Sequence, residues 1–119
     1  DAETLDADAV VVRDNYMPAA EITVAERAGT VVGFIALLGD LVGGLFVDPA
    51  AHRSGAGRTL ISDALRRKGR LEVEVYGANP DARAFYSACG FVETGRRDTD
   101  DQGRALPLIC MTLTEGNRT

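Results

Sequence analysis

The chain has one histidine, His52, two cysteines, Cys89 and Cys110, and no tryptophan. A single imidazole argues against a metal centre built on histidines. Two cysteines so far apart make neither a disulfide scaffold nor a zinc-ligand pattern, and they point to a reducing, cytoplasmic setting. Long apolar runs are also missing. The longest, residues 31–38, contains Gly33 and is far too short to cross a bilayer. No leader pattern is visible. Positive charge is in the minority, with 13 Lys and Arg against 18 Asp and Glu, a net charge of −5. That balance argues against a nucleic-acid partner. The one basic cluster, Arg66, Arg67, Lys68 and Arg70, falls at an expected helix end, where cations oppose the helix dipole.

What is present suits one domain with a small core: 119 residues, 45% hydrophobic and 26% charged. Thr4, Asp6, Asp8 and Pro18 punctuate a helix over residues 4–17, although Val10, Val11 and Val12 are poor helix formers. Strands are expected over 21–27, 31–38 and 41–47, with turns at 28–30 and 39–40. The run 31–38 reads as a strand buried on both faces. Gly43-Gly44 predicts a bulge or the close approach of a ligand. A helix over 55–68 ends at Gly69. A strand over 71–76 alternates Leu71, Val73 and Val75 with Glu72, Glu74 and Tyr76. A second helix has Asn79 as N-cap, Pro80 in its first turn and Gly90 at its end. Strands over 91–97 and 106–114 flank a polar turn at 98–104. This order predicts an α/β (α+β) fold: a mixed, mostly antiparallel sheet flanked by helices, with one parallel crossover around the helix at 55–68.

Arg53-Ser54-Gly55-Ala56-Gly57-Arg58 lies between a strand and a helix. Unpaired N–H groups and the dipole at a helix start favour a phosphate, glycines let the backbone approach closely, and Arg53 and Arg58 add charge-assisted bonds. A tight loop whose glycines serve only its turn explains the same residues. A Walker loop would need a Lys-Ser/Thr pair where Arg58-Thr59 stands. A Rossmann fingerprint would need a third glycine at Leu60 and no intervening loop, so a Rossmann-type nucleotide-binding domain is the weaker alternative.

The second motif runs Asn79-Pro80-Asp81-Ala82-Arg83-Ala84-Phe85-Tyr86-Ser87-Ala88-Cys89-Gly90-Phe91. Together with Leu45-Phe46-Val47-Asp48-Pro49 and the glycine loop, it resembles the GNAT superfamily of N-acetyltransferases. That family carries an apolar-Val-x-Pro strand end, a Gln/Arg-x-x-Gly-x-Gly/Ala loop and an Asn-x-x-Ala-x-x-Phe-Tyr-x-x-x-Gly-Phe helix. The resemblance covers roughly residues 21–113. It departs at His52, which holds the first loop position. The family begins with a further strand and helix, and this chain, which opens at Asp1, is expected to be a single domain that is short at its N-terminus.

The resemblance implies acetyl-CoA as cosubstrate, no metal, and direct transfer of acetyl to a primary amine on a small molecule or peptide. It implies that backbone groups of Leu45, Phe46 and Val47 pair with the pantetheine arm, like an added strand. Arg53, Ser54, Gly55, Ala56, Gly57 and Arg58 would take the pyrophosphate. Asn79 would contact the cofactor arm, and helix capping explains it equally well. Tyr86 would be catalytic, giving a proton to the departing thiolate, while a strand N–H near Leu45 stabilises the oxyanion. Glu21, Asp40, Glu72 and Glu74 are candidates for the general base. Asp98, Asp100 and Asp101 either line the acceptor site or form a solvated turn. Cys89 and Cys110 read as packing residues, because neither has a paired base. A non-catalytic acyl-CoA-binding or regulatory domain of the same fold is the alternative. A missing first strand would leave a sheet edge open to homodimer formation.

Overall fold

Two-residue turns organise the first half of the chain. The structure, a computed structural model, describes residues 10–17 by their backbone, and residues 20–51, 55–100 and 102–115 in full. They fall into two compact units divided between Ala64 and Leu65. In the first unit, β1 (Val10–Met17), β2 (Ala20–Arg27), β3 (Thr30–Leu38) and β4 (Leu41–Val47) form an antiparallel meander. The β2–β3 and β3–β4 pairs close at Arg27↔Thr30 and Leu38↔Leu41, where two residues turn the chain, and β1 pairs with β2 as far as Met17↔Ala20. At Ala28-Gly29 both φ angles are positive, 53° and 80°, as a type I′ turn requires.

Residues 10–17, expected as the second half of a helix, are instead the strand β1, and residues 4–9 lie outside the described residues. Three consecutive β-branched valines resist the helix and favour extended backbone, and full-length pairing with β2 outweighs the local capping signals. The edge strand is therefore β1, and β2 is paired on both sides. The run over 31–38 is also corrected. Ile35 and Leu37 are buried, whereas Val31, Phe34 and Leu38 are exposed, so only one face of β3 is covered. Apolar composition alone could not separate these cases; the alternation appears only once β2 and β4 fix the faces. The bulge at the paired glycines is present. Ala36 pairs with Gly44 and Leu37 with Val42, which leaves Gly43 as the extra residue.

After β4, Asp48 turns the chain by accepting the Ala50 N–H on its carboxylate (2.9 Å) and the Ala51 N–H on its carbonyl (2.7 Å). A single 3-10 turn, Pro49–Ala51, follows. Helix α1 (Ala56–Lys68) buries Ala56, Leu60, Ile61, Ala64 and Leu65, and carries Arg66, Arg67 and Lys68 in its last turn. Those cations oppose the helix dipole, as expected.

In the second unit, β7 (Leu108–Thr114) lies between β5 (Arg70–Tyr76) and β6 (Val92–Arg97), and both pairings are antiparallel. Leu71, Val73 and Val75 pair with Leu113, Met111 and Ile109, and all six are buried. Each such side chain contributes about 1.5–3 kcal/mol relative to exposure. Helix α2 (Pro80–Ala88) joins β5 to β6. The fold is mixed α+β, and every pairing within the two units is antiparallel.

The β6–β7 connection is held by Asp100, which is buried rather than solvated. One carboxylate oxygen accepts the backbone N–H groups of Gln102 (3.0 Å) and Arg104 (2.9 Å); the other accepts Arg104 Nε (2.6 Å) and the Tyr76 hydroxyl (3.4 Å). Gly103, at φ 75°, donates to the Asp100 carbonyl across the turn. Burial pushes the Asp100 carboxyl up, but the hydrogen bonds from Arg104 and Gln102 and the Arg104 charge outweigh it and hold the carboxyl below its ordinary range.

Two tests follow from these turns. Ala28→Asn, which relieves an alanine in the left-handed region, is expected to stabilise the fold by about 0.5–1 kcal/mol and raise Tm by a few degrees in a thermal melt. A carboxyl depressed in the folded state stabilises the fold at neutral pH and loses that contribution as pH falls through its folded pKa. Asp100→Asn should therefore melt below wild type near neutral pH, with the gap closing as the pH drops below the ordinary carboxylate range of about 4. A gap that stays constant with pH would show that the Asp100 charge does not hold the loop.

Candidate active site

β4 carries the residues expected to hold the cofactor arm. The Asp48 N–H donates to the Val32 carbonyl at 2.8 Å, and Phe34 pairs with Phe46. Antiparallel ladders alternate, so Phe46 and Asp48 direct their backbone groups at β3, while those of Leu45 and Val47 point to the other side. The register thus separates Leu45 and Val47, whose backbone groups face away from β3, from Phe46, whose backbone serves the β3–β4 ladder. The Phe46 side chain is half exposed and stacks on Phe34, with ring centroids 5.9 Å apart.

The same stretch continues to the start of α1. His52, Arg53 and Ser54 lie outside the described residues. Gly55 sits just ahead of the helix at φ 86°, a conformation L side chains rarely adopt, and its carbonyl accepts both the N–H (2.9 Å) and the hydroxyl (2.8 Å) of Thr59. Ala56 and Gly57 are buried in the first turn, and Arg58 is exposed. That turn holds no acidic residue, so its dipole faces no carboxylate from its own sequence. The arrangement suits an anion.

In the second unit, α2 places Asn79 and Tyr86. The Asn79 side chain accepts the Ala82 N–H at 3.1 Å and caps the helix, with Pro80 following it. The far end closes as a Schellman motif: Phe91 N–H donates to the Tyr86 carbonyl and Gly90 N–H to the Ser87 carbonyl, both at 3.0 Å, with Gly90 at φ 104°. Phe91 and Phe85 each stand edge-on to the Tyr86 ring at 5.2 Å. Tyr86 is therefore fixed by the motif that ends its helix. Its hydroxyl is pushed up to about 12 by burial, and then by the nearby Cys89. The ring contact from Phe91 was not read from the sequence, although the spacing Tyr-x-x-x-Gly-Phe signals it.

The base candidates have different surroundings. Glu72 pairs with Arg70, and Glu74 with Arg97 at 2.9 Å. Glu21 has a buried carboxylate oxygen, and Asp40 is exposed at a turn. Asp98 is exposed, and Asp101 lies outside the described residues. Glu74, Tyr76, Asp100, Gln102, Arg104 and Leu108 line a pocket of about 250 Å³ in the second unit. Asp100 in an Asp-x-x-Gly turn is the missed signal here: Asp at the first and Gly at the fourth position mark a built turn. Burial raises the Cys110 thiol, as does Glu74, whose carboxylate is 3.7 Å away, which leaves it a poor nucleophile. Among the described residues no group of three or more His, Cys, Asp or Glu gathers to hold a metal ion, and no helix is long and apolar enough to cross a membrane.

This geometry has relatives. The profile of the Acetyltransferase (GNAT) domain matches residues 18–93. The peptidyl-lysine N-acetyltransferase YjaB of Escherichia coli is 36% identical over 96 residues, which span 80% of this chain and 65% of that protein. The solution structure of its apo form superposes with a TM-score of 0.70. A GNAT family acetyltransferase from Elizabethkingia anophelis with acetyl-CoA bound has a TM-score of 0.72 at 13% identity, covering 88% of this chain and 97% of that one, a likeness of fold. The chain belongs to the GNAT acetyltransferase domain family.

Proposed function

We propose that the chain is an acetyl-CoA-dependent N-acetyltransferase that passes acetyl directly to a primary amine, with residues 1–119 forming one such domain. The observation that carries this reading is the stretch from β4 to α1, where Leu45 turns its backbone groups away from β3 and an acid-free helix start follows at Gly55. It suits a ligand that is extended and amide-bearing at one end and anionic at the other. The name of YjaB favours the lysine side chain of a peptide as acceptor. The free thiols of Cys89 and Cys110 accord with a reducing, cytoplasmic setting.

Acetyl-CoA supplies the acetyl group already activated as a thioester. Leu45 would hold the arm, and the backbone of residues 53–58, with Arg53 and Arg58, would hold the pyrophosphate. Asn79 keeps α2 started at a fixed point, and Phe91 and Gly90 fix the Tyr86 ring. Tyr86 keeps its proton at every working pH, because its pKa near 12 lies far above neutrality. Burial makes Tyr86 a weaker acid than an ordinary tyrosine, and it would give its proton to the sulfur only as the departing thiolate gains charge.

Release of free CoA across a panel of amines and lysine peptides tests the activity. Stabilisation by acetyl-CoA with no release on any acceptor would favour the non-catalytic acyl-CoA-binding reading. Tyr86→Phe should lower kcat by about 10²-fold while leaving the Kd for acetyl-CoA within about twofold. The sign of the pKa shift adds a second readout. A raised tyrosine pKa keeps the donor protonated until pH rises towards 12, so the variant's pH–rate profile between about 6 and 9 should run parallel to wild type. A limb lost from that window would assign Tyr86 a different role.

A further inference from the structure

The pocket lined by Glu74, Tyr76, Asp100, Gln102, Arg104 and Leu108 holds one donor group in place and leaves part of it unspent. Arg104 Nε donates to Asp100 at 2.6 Å and Nη2 to the Tyr76 hydroxyl at 3.3 Å, and among the described residues Nη1 has no partner. The Arg104 side chain is 54% exposed, so Nη1 can be reached from solvent. A guanidinium already fixed at two points loses little freedom when it donates again. Both carboxylates of the pocket are matched, Glu74 by Arg97 at 2.9 Å and Asp100 by Arg104. An ammonium finds no unmatched negative charge there, and an incoming carboxylate meets a cation that Asp100 already neutralises. A neutral carbonyl oxygen needs only a fixed donor. The exposed Tyr76 ring and the buried Leu108 supply apolar surface beside it. At about 250 Å³ the pocket is smaller than the roughly 300–1,000 Å³ that enclose a whole small molecule, so it suits part of a longer chain.

We propose that this pocket holds a peptide acceptor by its main chain: Arg104 donates from Nη1 to a backbone carbonyl oxygen of the peptide, with an adjoining residue against Tyr76 and Leu108. This rests on the reading of the chain as an N-acetyltransferase, and it makes peptides, rather than free amines, the acceptor class. The pocket adjoins the start of the helix that carries Tyr86. The Tyr76 carbonyl accepts the Asn79 N–H at 2.9 Å, and Asn79 caps α2. Tyr86 follows Asn79 by seven residues, about 10 Å of helix at about 1.5 Å each, a length that about three extended peptide residues span. Arg104 is then a specificity-determining residue that does not touch the reacting atoms.

The test separates the peptide main chain from the amine. Isotope-labelled wild type is followed by NMR while it is titrated with a short alanine peptide that has one central lysine and capped ends, and separately with pentylamine, which has the amine and no amide. The peptide is expected to shift the signals of Gln102, Arg104 and Leu108, and pentylamine to leave them in place. Equal shifts with both, or none with the peptide, overturn the proposal whether or not any variant folds. Arg104→Lys keeps a cation beside Asp100 and loses the planar fork. It is expected to weaken peptide binding at least about tenfold, and to lower the ratio of kcat/KM for the peptide to kcat/KM for pentylamine by a similar factor. The ratio cancels any loss of folded enzyme, so a merely structural role leaves it unchanged. An unchanged peptide Kd or an unchanged ratio overturns the proposal. Arg104-dependent peptide binding with no CoA released on either acceptor would instead remove the N-acetyltransferase reading and leave the peptide site standing.

Discussion

The hydrogen bond from Asp48 N–H to the Val32 carbonyl decides which backbone groups of β4 face β3. Because antiparallel bonding alternates, this one contact assigns Phe46 to β3 and turns Leu45 and Val47 the other way. It also places Gly33 against Val47 in a narrow pair. The bulge at Gly43 lies earlier on the same strand, where one extra residue changes which groups face β3.

A second constraint governs Tyr86. Helices end more often in glycine than in any specific side-chain contact, and the end of α2 combines both. Gly90 takes the left-handed conformation, which brings Phe91 back over the last turn, and the Phe91 ring then meets Tyr86 edge-on. The aromatic contact and two backbone hydrogen bonds restrict one ring without any bond to its hydroxyl. The polar end is left for a reaction partner while the apolar body is locked. Edge-to-face ring contacts are worth about 0.5–1.5 kcal/mol each beyond their buried area, enough to favour one rotamer strongly.

Much of this was legible from local chemistry. Asn79, Pro80 and Gly90 mark the two ends of α2 because capping is decided by residues within one turn. The strands β2, β3, β4 and β5 follow from alternation and from glycine at the turns. The failures share a cause. The valines at 10–12 were read with the acidic residues ahead of them, whereas pairing with β2, a tertiary contact, decides their conformation. The run 31–38 gave its apolar content but not its exposed face. Asp100 looked like one of several solvated carboxylates, and only the fold brings Tyr76, twenty-four residues earlier, to within 3.4 Å of it.

The charged side chains around the pocket of the second unit are paired. The chain as a whole is acidic, at −5, but that excess is not expressed in the pocket beside β5 and β7. Glu74 is matched by Arg97 at 2.9 Å, and Asp100 by Arg104 at 2.6 Å. The Glu74–Arg97 pair lies at the surface, where such pairs add little to stability, whereas Asp100 is buried; both pairs fix direction. Arg104 is held by Asp100 on one side and donates to the Tyr76 hydroxyl at 3.3 Å on the other. A guanidinium held at two points cannot turn to follow a ligand, and a carboxylate already paired attracts a cation weakly. The shape of this pocket and its individual hydrogen bonds, more than net charge, therefore set what it could accommodate.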